Sequence, residues 1–194
     1  MATDPATNPP SGAPRPMRAD ARRNYERLVA TARDVFTEQG PDAPLDDIAR
    51  RAGVGPGTLY RHFPTREALV EAVYRGEIAD LSARAYQLLE DFSPADALVA
   101  WLAEQVRFAT LKRGLAATLK AVVDRDSETF AWCHTTLRDA AAAVVTRAQE
   151  AGAIRPDVTP TDVLRLCHGV AVATEHAPDD ADRLLSVLLD GLRG

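Results

Sequence analysis

The sequence predicts an all-α protein of about nine helices, with one domain over residues 18–64 and a second over residues 65–194. Apolar residues recur at steps of three and four along most of the chain, as they do on the buried face of an amphipathic helix. Proline, glycine and capping residues fall where this periodicity starts and stops. No stretch shows the sustained period-two alternation of a strand. With 46% hydrophobic residues, the 194-residue chain can bury the core that such a fold requires.

Each predicted helix has its own start and stop signals. Residues 1–17 contain five prolines among small polar residues, so we expect a disordered arm there. Gly40 ends the first helix, Gly53 the second and Pro64 the third. Thr65 is an N-cap for the fourth helix, and similar capping signals open the later ones. We predict helices over about residues 20–39, 45–52, 56–63, 66–90, 94–112, 114–123, 127–150, 160–175 and 180–192.

Charge is unevenly distributed along the chain. The net charge is −5, yet residues 15–75 hold eleven arginines against nine carboxylates, and the excess of acid lies behind them. A mildly basic front suits a molecule that presents one end to a polyanion, although ordinary surface charge gives the same bias. We find no run of about 18 apolar residues and no secretory signal. We therefore expect a cytoplasmic protein without membrane contacts.

Residues 45–63 carry the strongest functional signal. They form two short helices joined by a turn, with Gly53 where the chain must change direction sharply. Ile48 and Ala49 are expected to pack against Leu59, which fixes the two helices at a steep angle. The second helix then projects from the domain, and its short side chains at the front fit a DNA major groove.

The exposed face of this second helix is the candidate DNA-contact surface. Thr58 can reach a phosphate or a thymine methyl, or it is only a first-turn hydroxyl. Tyr60 and His62 lie off the core stripe, which favours phosphate contacts over an ordinary surface role. Arg61 contacts phosphate or guanine, or is a solvated charge. The DNA-binding candidates are Arg22, Arg23, Arg51, Gly55, Gly57, Thr58, Tyr60, Arg61, His62 and Arg66.

This region resembles the TetR (tetracycline-repressor-like) family of transcriptional regulators. The resemblance covers about residues 20–75, where the turn, the core positions and the closing proline are all in register. It implies a DNA-binding regulator with no enzymatic activity and no cofactor. The matching residues are Ala32, Phe36, Gly40, residues 48–54 (IARRAGV), residues 57–64 (GTLYRHFP) and residues 65–69 (TREAL).

The sequence departs from the family pattern at two places. Ala43 and Pro44 stand where many members have a serine or threonine that caps the second helix and touches phosphate. Gly55 replaces a residue that is commonly polar and has no side chain for a contact. Affinity could then depend on a basic arm in the adjacent minor groove, the alternative being a solvated tail. Arg15, Arg18, Arg22 and Arg23 precede or open the first helix and are the arginines that such an arm would carry.

The resemblance also implies that the last two long helices pair with those of a second copy. Residues 163–173 are apolar nearly all round, as expected of a helix buried on two sides, and the final helix carries a leucine stripe. A homodimer engages two half-sites together, so we predict a palindromic double-stranded DNA operator. The dimerisation candidates are Leu166, Val170, Ala173, Leu184, Leu185, Leu188 and Leu192.

A small-molecule effector, apolar or aromatic in character, is expected between the helices of the second domain. In the family, effectors that bind there reset the separation of the two DNA-reading heads, which implies a repressor released by its ligand. For each aromatic candidate, the alternative is a plain core residue. The ligand-binding candidates are Tyr86, Trp101, Gln105, Phe108, Trp132, His134 and His168.

Two Cys-His pairs, at residues 133–134 and 167–168, raise the question of a metal site. Adjacent helical residues project about 100° apart and zinc requires four converging ligands, so we predict no metal. We find no catalytic constellation and no phosphate-binding loop. The alternative to a regulator is a helical protein that binds small molecules or other proteins without operator-specific DNA binding.

Overall fold

The computed structural model describes residues 15–111 and 128–193, and it is all-α over these two ranges, with no strand in either. The predicted fold class is confirmed. A helix predicted over residues 114–123, and a cap at Ser127, lie outside the described residues. Within them we number the helices α1 (Arg15–Gln39), α2 (Leu45–Arg51), α3 (Pro56–His62), α4 (Arg66–Asp91), α5 (Pro94–Leu111), α6 (Glu128–Glu150), α7 (Pro160–Ala173) and α8 (Ala181–Arg193), and a 3₁₀ turn covers Pro178–Asp180.

Most helix ends agree with the predicted ends to within two residues, and the largest difference is at the start of the chain. Helix α1 begins at Arg15, five residues before the expected start, so residues 15–17 belong to a helix and not to the predicted arm. Near the C-terminus, a 3₁₀ turn at Pro178–Asp180 precedes α8, where the prediction placed the first turn of the last helix.

Local signals in the sequence account for these ends. Gly40 and Gly53 have φ angles of 83° and 66°, a left-handed conformation that other residues adopt at a cost. The Thr65 hydroxyl accepts a hydrogen bond from the Ala68 N–H at 3.2 Å and so caps α4. At the start of α7, Thr159 and Asp162 form a reciprocal capping box.

The described helices enclose two hydrophobic cores, and α4 contributes to both. The first core joins α1, α2 and α3 to the beginning of α4, as far as Val73. The second joins the rest of α4 to α5, α6, α7 and α8, with Trp101 fully buried in it. The first core thus extends past residue 64, the predicted domain boundary. One helix, α4, is therefore shared by both cores.

Candidate nucleic-acid interface

Helices α2 and α3 are held at a fixed angle by apolar side chains from both. Ile48, Ala49 and Leu59 are fully buried, and Phe63 is 2% exposed. The turn between the helices is closed by a hydrogen bond from the Val54 N–H to the Ala49 carbonyl at 3.0 Å. This is the packing that the sequence predicts for a helix-turn-helix. It leaves α3 as a rigid element at the surface.

The outer face of α3 is exposed to solvent. Tyr60 is 47% exposed, Arg61 is exposed, and Thr58 and His62 are half-buried. Arg61 forms no ion pair with any residue in the described part of the chain, so its charge is available to a ligand. The four predicted contact residues of α3 therefore lie on or beside one accessible surface.

The two glycines at the start of α3 are not required by the fold. Gly55 has φ −71° and ψ 152°, a conformation open to any residue, and neither Gly55 nor Gly57 is among the glycines with positive φ. A Cβ atom built on either glycine meets no atom within 4 Å. Glycine at a helical position weakens the helix by roughly 0.5–1 kcal/mol relative to alanine. Neither backbone geometry nor internal packing offsets this cost at Gly57.

An aromatic cluster joins α1 to the end of α3. The Tyr25 ring lies 5.1 Å from the Phe63 ring and 6.1 Å, edge-on, from the His62 ring, measured between centroids. His62 is thus a packing residue as well as a candidate contact. Sequence periodicity assigns Tyr25 to the core stripe of the first helix, yet the side chain is 41% exposed and borders the candidate surface. Periodicity shows which face of the helix a residue lies on, but it does not show that an aromatic ring on that face also reaches the protein surface.

Three predicted DNA-binding arginines are paired with carboxylates. Arg51 contacts Glu38 at 2.7 Å, and this hydrogen bond raises the pKa of Arg51 above its ordinary value. Arg22 pairs with Glu26 at 2.8 Å, and Arg23 pairs with Asp20. All three pairs are exposed, so their carboxylates can be exchanged for phosphates at little cost. Arg22 and Arg23 lie well inside α1, as the helix predicted over residues 20–39 requires, so any contact that they make with DNA would come from a helix and not from an extended arm.

Arg66 holds the loop before α2. Its Nη1 atom donates to the carbonyl oxygens of Pro41 and Ala43, at 2.9 and 2.6 Å. These contacts are partly buried and cross 25 and 23 residues of sequence. The structure gives Arg66 a positioning role at the helix-turn-helix, and a DNA contact by the rest of its guanidinium stays a prediction. Pro44 is the N-cap of α2 and makes no side-chain capping bond, as the departure from the family pattern predicts.

The outer faces of α7 and α8 form an open apolar groove of about 550 Å³. Leu166, Ala173, Leu184 and Leu188 line it, as expected of dimerisation candidates. Val187, at 63% exposed, also lines it and was missed, and Val172 is exposed on the same helix as Leu166. The assignment of Leu185 is corrected, because it is buried in the chain's own core. Val170 and Leu192 are buried too, but they border the groove.

Only part of the predicted ligand set faces the interior of the second domain. Trp101 is core, because it is fully buried and its Nε1 donates to the Leu81 carbonyl at 3.0 Å. His134 and His168 are exposed, and Tyr86 is 46% exposed in a groove between α4 and α6. These three point outward, so their assignment to an interior site is wrong.

Gln105 is the buried polar member of the set. Its side chain is 6% exposed, and its Oε1 atom has no hydrogen-bond partner among the described residues. Phe108, one helical turn further along α5, packs against Tyr74 of α4 with 6.1 Å between ring centroids. Burial raises the pKa of Tyr74 to about 12 and, on the neighbouring helix α6, the pKa of Cys133 to about 11. Both rings are only partly buried, and Phe108 also lines an open cleft whose other walls are mostly charged.

Trp132 belongs to a polar junction between α4 and the first turn of α6. The Arg75 guanidinium lies 4.6 Å from the centre of the Trp132 ring. Arg75 also donates to the Thr129 hydroxyl at 3.3 Å, and that hydroxyl donates to Glu71. Next to this junction, Phe130 packs against the first core. The start of α6 therefore touches both domains.

In both Cys-His pairs, the cysteine is buried and the histidine is exposed. The two side chains of each pair project in different directions, as the helical geometry predicts. Over the ranges 15–111 and 128–193, no group of three or more His, Cys, Asp or Glu side chains is arranged to hold a metal ion. No helix in these ranges is long and apolar enough to cross a membrane.

Two family models together cover most of the chain. Residues 28–73 match "Bacterial regulatory proteins, tetR family". Residues 93–194 match "Transcriptional regulator SbtR-like, C-terminal domain". Among curated relatives, the HTH-type transcriptional regulator UidR of Escherichia coli (strain K12) is 28% identical over 154 residues, which is 77% of this chain and 79% of that protein.

Solved structures agree with both models. The TetR transcriptional regulator SCO0520 from Streptomyces coelicolor is 43% identical, with a TM-score of 0.75, over 87% of this chain and 98% of that one. A TetR transcription regulatory protein from Mycobacterium vanbaalenii is 35% identical, with a TM-score of 0.74, over 92% and 100%. The exposed helix-turn-helix and these matches lead to one conclusion: the chain belongs to the TetR family and is a DNA-binding transcriptional regulator.

Proposed function

We propose that the protein is a cytoplasmic repressor that binds a palindromic operator as a homodimer and releases it when a small molecule enters the second domain. It acts by binding and not by catalysis. In this proposal α3 enters the major groove, the groove on α7 and α8 is the dimer contact, and the start of α6 carries the signal to α4.

The observation that carries the proposal is the exposed, glycine-led front of α3. Gly57 weakens the helix, and a Cβ at that position would meet nothing in the protein itself. Glycine at position 57 would allow the surface of another molecule to approach the α3 backbone closely. The edges of base pairs in a major groove are such a surface, since the groove is just wide enough for a helix. Gly55, the N-cap of α3 two residues earlier, extends the same open front.

Side chains further along α3 then meet the DNA in order of their position. Thr58, at the tip, is assigned to a phosphate or a base edge. Arg61 is assigned to guanine or phosphate, because its charge has no partner among the described residues. Tyr60 is assigned to phosphate, with His62 steadied by Tyr25 beside it. Arg22, Arg23 and Arg51 add long-range attraction once their carboxylates are exchanged for phosphates.

Dimerisation through α7 and α8 follows from the apolar surface that they leave uncovered. Leu166 and Val187 are 46% and 63% exposed on neighbouring helices, beside the groove of about 550 Å³. A contiguous apolar patch of this kind marks a protein contact. A two-fold axis there presents two α3 helices to successive turns of the same DNA face, which requires inverted half-sites.

Release of DNA is proposed to pass from α6 to α4. The junction of Glu71, Arg75 and Thr129 ties the first turn of α6 to the part of α4 that precedes the second core. Phe130 packs on the first core beside it. A ligand that displaces the start of α6 would pull α4 with it and change the separation of the two α3 helices.

Selection of bound sequences from random DNA duplexes tests the proposal. We expect the full-length protein to recover an inverted repeat whose half-sites lie one or more helical turns apart. For that duplex, the logarithm of the binding constant should fall linearly with the logarithm of the salt concentration. Recovery of no consensus, or of a consensus without two-fold symmetry, would contradict the proposed mode of binding.

A further inference from the structure

Gln105 is a buried amide that the protein itself does not satisfy. The side chain is 6% exposed, and its carbonyl oxygen Oε1 has no partner in the described part of the chain. An amide oxygen taken out of water without a hydrogen bond costs roughly 1–3 kcal/mol. An apolar residue of the same size would avoid this cost. A group retained in spite of it calls for an explanation at this particular site.

Helical geometry places Gln105 between two contacts that α5 makes with α4. Trp101, one turn before it, donates to the Leu81 carbonyl, and Phe108, three residues after it, packs against Tyr74. Residues at these spacings share one face of a helix, so the amide faces the seam between α5 and α4. An open cleft of about 320 Å³ lies on the flank of this seam. It is lined mostly by charged side chains, has Leu81 and Phe108 among its walls, and does not include Gln105.

The seam between α5 and α4 carries aromatic side chains next to charged ones. Phe108 and Tyr74 supply two rings, and Cys133 of α6 lies near enough to Tyr74 to influence its ionisation. Burial raises the pKa of both Tyr74 and Cys133. A ligand that fits here presents an aromatic or apolar body to the rings and a single donor to the amide oxygen.

We propose that Gln105 recognises the effector by accepting a hydrogen bond, so that the effector is a small aromatic molecule that carries a hydroxyl or N–H donor. This inference rests on the proposed function, and it names the chemistry of the ligand. Phe108 and Tyr74 hold the body of the ligand by ring contacts. The hydrogen bond to Gln105 selects its polar group, because an analogue without the donor leaves the buried oxygen unpaired.

Matched pairs of probes test this assignment on the full-length protein. Phenol and anisole differ in one donor hydrogen, and so do indole and 1-methylindole. Isothermal titration calorimetry should give a dissociation constant about ten-fold lower for phenol and indole than for the methylated partners, which corresponds to about 1.4 kcal/mol. In Gln105→Met, a substitution of similar volume, this ratio should fall to about one. Gln105→Leu serves as the second variant, and both should melt no lower than the wild type.

Four results would overturn the assignment. The wild type could bind both members of each pair equally or bind neither, it could prefer the methylated probes, or the donor preference could persist in Gln105→Met. Operator binding is measured on the same samples by fluorescence anisotropy. A protein that binds its operator normally but lacks the donor preference refutes only the assignment of Gln105. A protein that binds no DNA sequence selectively refutes the proposed function.

Discussion

Replacing Gly57 by alanine is expected to stabilise the protein and at the same time to weaken its binding to DNA. The added Cβ meets no atom within 4 Å, so the folded state gains no clash. Alanine favours the helix over glycine by roughly 0.5–1 kcal/mol. For a chain of this size, 1 kcal/mol corresponds to about 2–4 °C in melting temperature. We therefore expect a rise in Tm of about 1–4 °C.

When α3 lies in the major groove, the added Cβ would occupy the space between the α3 backbone and the edges of the base pairs. We expect Gly57→Ala to bind the selected operator at least about ten-fold more weakly, a loss of about 1.4 kcal/mol. Circular dichroism gives the Tm, and fluorescence anisotropy gives the affinity. Gly76→Ala is the matched control, because it lies inside α4 and its Cβ makes only an ordinary contact, 3.9 Å from Arg33 Nη2. The control should gain stability and keep its affinity.

If Gly57→Ala binds the operator as tightly as the wild type, DNA does not approach the α3 backbone closely at this position. A lower Tm would contradict the expected gain in stability, since the helix would then need glycine for its own packing. Equal losses of affinity in Gly57→Ala and Gly76→Ala would mean that added helix stability, and not the approach of DNA, weakens binding.

Four further changes probe other parts of the account. Tyr60→Ala should weaken operator binding about ten-fold in anisotropy assays through lost phosphate contacts, whereas Tyr86→Ala, at a tyrosine of similar exposure in the second domain, should not. Arg66→Ala should lower the free energy of unfolding in urea by about 1–3 kcal/mol, because two loop carbonyls lose a charged donor. Val187→Glu should convert the dimer to a monomer in light scattering without loss of helix, since it places a charge on the apolar groove. Thr129→Val should lower the free energy of unfolding by about 1–2 kcal/mol, because Glu71 and Arg75 lose their shared partner.

For each of these four predictions, one outcome would contradict it. Equal losses of affinity at the two tyrosines would remove Tyr60 from the interface. An unchanged urea midpoint in the Arg66 variant would show that its loop contacts carry no net energy. A Val187 variant that stays dimeric would move the dimer contact away from α7 and α8. An unchanged free energy of unfolding in the Thr129 variant would show that the contacts of Thr129 do not stabilise the packing of α6 on α4.

The helix-turn-helix could be predicted from sequence because its determinants are local. Gly53 needs a left-handed conformation, Thr65 caps the next helix, and the spacing of Ile48 and Leu59 defines two faces that can only bury against each other. All of these signals act within about twenty residues, so each can be found without knowledge of the rest of the fold.

The roles of single residues in the second domain were harder to predict, because they depend on which helices become neighbours. The stretch at residues 163–173 is apolar nearly all round, and such a pattern does not separate the core side from a dimer side. Leu185 and Val187 are two residues apart on one helix, yet the first is buried and the second is 63% exposed. His168 was placed inside and lies outside for the same reason.

Arg66 shows the same limit in the first domain. Its two carbonyl partners lie 23 and 25 residues earlier in the chain, and a contact of that kind leaves no trace in local pattern. In the sequence, Arg66 is simply an arginine close to α3, and this position favours a DNA contact. The buried oxygen of Gln105 is likewise defined by the packing of α5 on α4, and composition alone gave no hint of its missing partner.

In the proposed complex, α3 lies in the major groove of both half-sites of an operator. Methylation by dimethyl sulfate tests it directly on the selected duplex, since this reagent attacks guanine N7 in the major groove and adenine N3 in the minor groove. We predict that the bound protein protects guanine N7 in two symmetric clusters, one in each half-site and one or more turns of about 10 base pairs apart. Protection confined to adenine N3, or none at either half-site, would contradict the account.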